Sequence, residues 1–504
     1  MKVVFINPNL SGVVGQNIGL AYVISSVERN HQVELWDLTF HAGDFKKYLL
    51  EKLQRGQPDI IGFSVNSFSF GSGLEIARFI KQLYPKIIFL WGGIHPTLMP
   101  AEVIRHPLVD VLCVGEGEIA ALEYLDRVEQ GKLPDVGGIW YKDSGGGVHS
   151  GPPRAFYEHI DDLPLPNWDH WEIDKYLKGE LFFTGGLRHL ASRGCPYGCT
   201  FCSNAALSKT SPGKYYRTRA PANIIKEIKL NVQKYQAQGL KSIFLSDDIF
   251  GLDEQWLEEF CALYIQEGLS AKIPWVCTTR VDILTEKWAK IAAGAGCMMV
   301  SLGIESGDED IRSRVYKKNI SKQQIMNAAG YLKQSGIICH ISLIIGAPGE
   351  TYGTIGKTMQ LAKEICPLTS QYIFYQPLPK TELLESIKQE DFRQPGSITY
   401  LNSPVVFTQD LKKKQLLKIK KQIEFERVSN FFKKGISQQG AGFFLKIMKF
   451  CFSLENIKKI FSGNFHIMTN LEQDILFGYH LKRWQARQAG TLITKPGLIS
   501  KMKE

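Results

Sequence analysis

The segment Arg193-Gly194-Cys195-Pro196-Tyr197-Gly198-Cys199-Thr200-Phe201-Cys202 sets three thiols close together on a loop rich in glycine and proline. Thiolates at this spacing can wrap one soft metal centre. Structural zinc takes four protein ligands, and the loop from Arg193 to Cys202 holds no fourth Cys or His. A zinc loop with a distant fourth ligand is the plainer alternative. A [4Fe–4S] cluster has four irons, so three cysteines leave one iron open to a ligand that is not protein. An open iron permits inner-sphere electron transfer to whatever binds there. The other seven cysteines, Cys113, Cys261, Cys277, Cys297, Cys339, Cys366 and Cys451, stand singly and read mostly as small core residues. Asp247-Asp248 pairs two carboxylates that suit an ammonium partner or, more plainly, cap a helix.

These residues need a frame. From Leu187, strand-like runs (Leu187–Ser192, Ser242–Ser246, Trp275–Thr279, Met299–Ile304, His340–Ile345, Gln371–Tyr375) alternate with helical patterns (Ala222–Gln238, Glu254–Glu267, Thr285–Ala293, Lys322–Gly336, Tyr352–Ile365). Six such repeats make a partial (β/α)6 barrel of TIM type, whose active site lies at the carboxyl ends of its strands. The three cysteines follow the first strand and the two aspartates the second. The first 135 residues alternate in the same way. Strands are expected over Lys2–Asn7, Gln32–Leu38, Asp59–Ser64, Lys86–Trp91 and Val109–Val114, and helices over Ile18–Glu28, Phe45–Arg55 and Gly73–Tyr84. That pattern predicts a doubly wound parallel sheet, with ligands bound outside the strand ends. Those ends run into Asn7-Pro8-Asn9, Ser64-Val65-Asn66-Ser67, Gly92-Gly93 and Gly115-Glu116-Gly117-Glu118, which let backbone approach a ligand and offer N–H donors. The expected division is 1–135 ligand-binding sheet, 136–186 hairpin and Pro-rich linker (Asp161–Trp168), 187–385 barrel and 386–504 helical C-terminal region.

The chain has 504 residues, 44% hydrophobic and 22% charged, which excludes a disordered, collagen-like or disulfide-stapled protein. No run is long and apolar enough to span a membrane, and the start lacks the pattern of a signal peptide, so a cytoplasmic location is expected. The net charge of +10 is uneven: residues 401–504 carry 19 Lys/Arg against 7 Asp/Glu. Within that region Leu411–Lys434 is Lys-rich with interleaved apolar residues, and Gly442–Phe452 is apolar but broken by Lys446 and Lys449. Such stretches suit a helical cap on the barrel mouth, the favoured reading, or peripheral contact with an anionic membrane surface.

The C-x3-C-x2-C spacing, with its supporting strand ends, resembles the radical S-adenosylmethionine (SAM) superfamily over roughly residues 187–385. The resemblance implies that Cys195, Cys199 and Cys202 hold a [4Fe–4S] cluster whose open iron chelates SAM. It implies that Phe201 contacts adenine, that Asp247 and Asp248 receive the methionine amino group, and that Glu305 in Gly303-Ile304-Glu305-Ser306 contacts the ribose or methionine part. Gly346 in Gly346-Ala347-Pro348-Gly349-Glu350 falls in the fifth-strand SAM segment. Lys380 in Pro377-Leu378-Pro379-Lys380-Thr381 stands where the sixth-strand segment usually has glycine.

The N-terminal half resembles the cobalamin-binding domain of one large branch of these enzymes, through Gly92-Gly93-Ile94-His95-Pro96-Thr97 and Gly115-Glu116-Gly117-Glu118. By that match Ser64, Asn66, Ser67, Gly92, Gly93, His95, Thr97 and Glu116 are candidate cobalamin contacts. No D-x-H-x-x-G motif occurs, so a lower axial histidine in the manner of methionine synthase is not expected, and Asn17-Ile18-Gly19-Leu20 departs from the branch's usual Pro-rich start. The implied function is that of a cobalamin-dependent radical SAM enzyme, a methyltransferase acting on an unactivated carbon of a small-molecule or lipid-like substrate. It would need an external flavodoxin- or ferredoxin-like electron donor and no nucleic acid. The alternatives are a non-methylating reaction of the same branch, such as oxidative cyclisation or rearrangement of a tetrapyrrole, and a non-catalytic cobalamin or redox sensor. A tRNA methylthiotransferase fits poorly, since it carries three further N-terminal cysteines where this chain has Cys113 alone.

Overall fold

The computed structural model describes residues 1–179, 185–387, 404–406, 411–423, 426, 481 and 484–485. The first sheet has seven strands: β1 (Lys2–Asn7), β2 (Gln32–Asp37), β3 (Ile60–Ser64), β4 (Ile88–Gly92), β5 (Val111–Cys113), β6 (Ile139–Lys142) and β7 (Val148–Ser150). Their order is β2-β1-β3-β4-β5-β6-β7. The first five pair in parallel, and β6 and β7 add antiparallel. β1 and β3 are neighbours while the chain winds outward from them, so their carboxyl ends form the switch point where doubly wound sheets bind ligands. The strands are apolar on both faces: Val3, Phe5 and Ile60 join one core while Val4, Ile6 and Ile61 join the other. The expected hairpin is the β6–β7 pair, and it extends this sheet through β5.

The segment read as a Pro-rich linker is a packed strap. Trp168 and Trp171 are buried in the main core. Asn167 Nδ2 donates to Glu28 at 3.2 Å, and Tyr235 Oη donates to Asp169 at 2.9 Å. Glu28 ends a helix of the first sheet and Tyr235 lies on a barrel helix, so the strap joins the two units.

Beyond it stand β8 (Gly186–His189), a short antiparallel ribbon of β9 (Ser192–Arg193) and β10 (Arg217–Thr218), then β11 (Ser242–Leu245), β12 (Trp275–Thr279), β13 (Cys297–Glu305), β14 (Ile338–Ile345) and β15 (Thr369–Phe374). The six long strands pair in parallel in sequence order, an open (β/α)6 barrel. Leu187, Ile243, Leu302, Ile341 and Tyr372 sit in the core under the helices. Residues 413–423 are helical. Leu411, Leu416, Ile419 and Ile423 of this stretch enter the same core as Tyr372, Phe374 and Leu361, and Lys363 of the preceding barrel helix pairs with Glu426 at 3.1 Å. The start of the basic region therefore packs on the outside of the barrel, where the sixth helix belongs, rather than over its mouth. Gly442–Phe452 lies outside the described residues. Among the described residues no helix is long and apolar enough to cross a membrane.

Candidate active site

The cysteine loop is pinned from several sides. Gly194 has φ +79°, and a Cβ there would lie 2.5 Å from the Tyr215 carbonyl oxygen, so glycine is required. Thr200 donates its N–H to Tyr316 O at 3.2 Å and its hydroxyl to Val315 O at 2.5 Å, and Leu383 N–H donates to Thr200 O at 3.0 Å. Cys199 is buried; Cys195 and Cys202 are partly so. Burial pushes the Cys202 thiol up to about 12 and the Cys195 thiol above its ordinary value, with Asp248 adding to both. Thiolates here need a positive centre to compensate them. Among the described residues no three ligating side chains converge on a single ion. Three partly or fully buried thiols on one loop, each in need of a compensating positive charge, fit the cysteine set of a four-iron cluster.

The structure divides the aspartate pair. Asp247 is buried; it accepts from Ser192 Oγ at 2.5 Å and Ala191 N–H at 3.3 Å, fastening the entry to the cysteine loop. Burial raises its carboxyl to about 7. Asp248 faces the cavity described below. Phe201, Glu305 and Gly346 do not line that cavity. Phe201 meets Tyr316 edge to face at 5.1 Å and shares an apolar nest with Ala347. Tyr316 is fully buried, and its hydroxyl makes no hydrogen bond within the described residues. Glu305 has φ +68° at a register shift in β13 and holds Lys318 Nζ at 2.9 Å, both side chains buried. A non-glycine residue in the left-handed region is strained, and strain of this kind collects at working sites. Gly346 has φ +80°, its N–H bound to Glu350 at 2.6 Å, with Leu416 over it. Lys380 keeps the conformation of the glycine it replaces, at φ +60°.

Between the strand ends of the first sheet and the barrel mouth lies one cavity of about 1000 Å3. One wall holds Asn7, Ser64, Asn66, Ser67, Gly92, Gly93 and Glu116; the other holds Arg188, Arg193, Gly194, Ser246 and Asp248. This is the upper end of the size range of small-molecule sites. Its breadth and its rim of hydroxyls, amides and glycine backbone fit a flat, amide-fringed macrocycle such as a corrin. His95 and Thr97 do not border it. His95 stacks near Phe70 at 4.5 Å and shares a hydrogen bond with Ser67 at 3.1 Å. The Thr97 hydroxyl donates to Gly93 O at 2.8 Å and accepts from Gly115 N–H at 3.0 Å, tying two strand-end loops together. Asn17 caps the helix Ile18–Val27 through Leu20 N–H at 3.1 Å, the task a Pro-rich start leaves open.

The Glu116 carboxylate is held in a fork by Arg217 at 2.8 and 2.9 Å, and Arg193 reaches it at 3.4 Å and Glu118 at 2.6 Å. Burial would raise the Glu116 carboxyl, but these guanidinium groups outweigh it and hold it below its ordinary value. Arg193 stands two residues before Cys195, so this cluster ties the cysteine loop to the first sheet.

Residues 190–362 match the Radical SAM superfamily model, and residues 9–125 match the B12 binding domain model. An uncharacterized methyltransferase of Pyrococcus horikoshii is 32% identical over 381 residues, covering 74% of this chain and 79% of the relative. The chain belongs to the cobalamin-binding radical SAM family. As a member it is an enzyme of the radical SAM type, with a [4Fe–4S] cluster, SAM and cobalamin as cofactors. An anaerobic magnesium-protoporphyrin IX monomethyl ester cyclase of Rubrivivax gelatinosus is 27% identical over 422 residues, 80% of this chain and 74% of the relative. The radical SAM methyltransferase TsrM from Kitasatospora setae, solved with cobalamin and a [4Fe–4S] cluster, shares the fold at TM-score 0.63 and 19% identity, over 76% of this chain and 74% of that one.

Within this family frame, Tyr316, Arg217, Lys318 and Arg280 are site residues that carry no signal in the sequence. Lys318, partner of Glu305, follows a π-helical turn (Ile311–Val315) that no periodicity announces. Arg280, just past β12, donates to Cys199 Sγ at 3.6 Å. The local run Thr279-Arg280-Val281-Asp282 carries no spacing signal that points to a cysteine far upstream.

Proposed function

We propose that this enzyme methylates an unactivated carbon of a small-molecule or lipid-like substrate held in the cavity between the two units. The observation that carries this reading is that the strand ends of the cobalamin domain and the edge of the cysteine loop open on one space of about 1000 Å3. A substrate lodged there can meet both cofactors without leaving. When bound, the cofactors supply one-electron chemistry that opens a C–H bond and a methyl group to place on that carbon.

The chain's part is to bind, orient and exclude water. Cys195, Cys199 and Cys202 are assigned as the cluster ligands. Asp248, on the cavity wall, is assigned to the SAM ammonium group, with Asp247 holding the loop beneath it. The Glu305–Lys318 pair, the nest of Phe201, Tyr316 and Ala347, and the adjoining Gly346 are assigned to the rest of SAM, with the free Tyr316 hydroxyl as a polar contact. Ser64, Asn66, Ser67, Gly92 and Gly93 are assigned to cobalamin, and His95 and Thr97 to the loops beneath. The electron donor is a flavodoxin- or ferredoxin-like protein, and the location is cytoplasmic.

The test is a product count on the anaerobically reconstituted holoenzyme with candidate substrates. A methylase makes S-adenosylhomocysteine and 5′-deoxyadenosine in step with product. The cyclase-like reading, which the Rubrivivax relative keeps in view, predicts 5′-deoxyadenosine without substrate-dependent S-adenosylhomocysteine. A sensor makes neither. Full SAM cleavage by the Cys199→Ala variant would sink the whole reading.

A further inference from the structure

Arg280 leaves the end of β12 with 8% of its surface exposed, and its guanidinium is fixed on three sides. Nε and Nη2 donate to the two Asp282 carboxylate oxygens at 2.9 and 3.1 Å. The group lies over the Tyr197 ring, 3.6 Å from its centroid. Nη1 donates to Cys199 Sγ at 3.6 Å, within reach for a sulfur acceptor. Tyr197 and Cys199 both belong to the cysteine loop, whereas Asp282 belongs to the turn after β12, so the cation bridges barrel and loop. Of the other two thiols both feel the Asp248 carboxylate; Arg280 also acts on Cys195, less than Asp248 does, and is not among the groups acting on Cys202. A fixed positive charge thus stands at one corner of the metal site and a negative one nearer the other two.

We propose that Arg280 sets the reduction potential of the cluster by donating a charged hydrogen bond to Cys199. The proposal rests on the reading that the three cysteines hold that cluster. Reduction adds one negative charge to the centre, and a buried cation hydrogen-bonded to a ligand sulfur stabilises the reduced form. Hydrogen bonds to the sulfurs and local charge are among the levers that set such potentials. The Asp282 fork and the Tyr197 ring hold the donor in place, so the charge needs no reorganisation as the electron arrives. Arg280 is on this account a positioning residue: it acts through Cys199.

The test is a redox titration followed by EPR on the full chain, anaerobically reconstituted with iron and sulfide, without substrate. Poised at the wild-type midpoint, Arg280→Gln should show a reduced-to-oxidised ratio about tenfold lower, which for one electron is about 59 mV. Arg280→Lys keeps the charge but cannot hold Asp282, cover Tyr197 and reach the sulfur together, so its midpoint should fall between the two. Iron content and far-UV circular dichroism establish that each variant is loaded and folded. If Arg280→Gln does not load, Arg280→Lys carries the test alone, and a lowered midpoint supports the proposal. Loaded variants that titrate with the wild type overturn it, because a merely structural role leaves the potential where it was. A wild-type chain that assembles no cluster overturns the reading beneath it instead, and iron analysis separates the two failures.

Discussion

Replacing Glu116 by Gln keeps the shape of the side chain and removes its charge at the place where the two units meet. Glu116 accepts two bonds from Arg217, one from Tyr157 N–H at 3.0 Å, and faces Arg193. Breaking a fully buried pair by removing one partner costs roughly 3–5 kcal/mol. The Glu116 side chain is 22% exposed, and Arg217 keeps the carbonyls of Tyr157 and Tyr215 at 2.8 and 3.1 Å. Its charge is therefore not stranded, and the expected loss is about 2 kcal/mol. Urea unfolding of the full chain measures it, and a cycle with Arg217→Met should return a coupling of about 1–2 kcal/mol. The pH dependence has a definite sign. The folded carboxyl is held below its ordinary value, so the contribution is present above the unfolded value and fades as pH falls through the folded one. The gap between wild type and variant should be full at neutral pH and close in acid. A stability change within about 0.5 kcal/mol, together with additive single substitutions, would refute the clamp. If cobalamin affinity collapsed while stability held, the carboxylate would be serving the cofactor, as the sequence motif suggested.

Asp247 is raised to about 7 by burial, so the folded chain holds a proton there that the unfolded chain releases from about pH 4 upward. Stability from this group should fall between about pH 4 and 7, and Asp247→Asn should flatten that slope in paired urea titrations; a difference that ignores pH would contradict it. Lys380→Gly, at φ +60°, should stabilise the chain by about 0.5–1 kcal/mol, and a loss would show that the lysine side chain earns its strained backbone. Leu416→Ala, in a fully buried position over Gly346, should cost about 3 kcal/mol in thermal or urea unfolding. No loss would mean that the 413–423 helix is not part of the barrel wall.

The sequence was most readable where chemistry is local. The three cysteines lie on one loop, and the strand ends carry their glycines, serines and asparagines in place, because chain connectivity alone brings these groups together. The parallel strands were readable for a related reason: each carries an apolar run that the core needs, and the helix between most neighbours is long enough to bring the chain back. The misjudged stretches carried a usable signal that was outweighed. Prolines made 161–168 look like a linker, although Trp168 and Trp171 are bulky apolar residues that a free linker has no reason to hold. Leu416, Ile419 and Ile423 lie on one helical face, with Leu411 just before the helix, but nothing local says whether that face meets the mouth or the wall of a barrel. Other features left no signal, since a left-handed Glu305 or Lys380 is imposed by surroundings rather than by residue type.

The partners that tune the site are of this last kind. Arg280 stands 81 residues from Cys199, and Glu116 stands 101 residues from Arg217. Loop closure over such spans depends on the completed barrel and sheet, not on local spacing. Both contacts nevertheless converge on the cysteine loop, one at the Cys199 sulfur and the other through Arg193 beside it. On the proposed assignment the loop's own sequence supplies the ligands, while the charge at the loop and its docking to the first sheet come from distant segments that can change without touching the cysteines. Two chains with the same C-x3-C-x2-C motif can therefore hold the same cluster at different potentials and at different reach from the corrin. Arg280 and Glu116 are where such a difference would enter, and substituting them one at a time separates electron entry from domain docking.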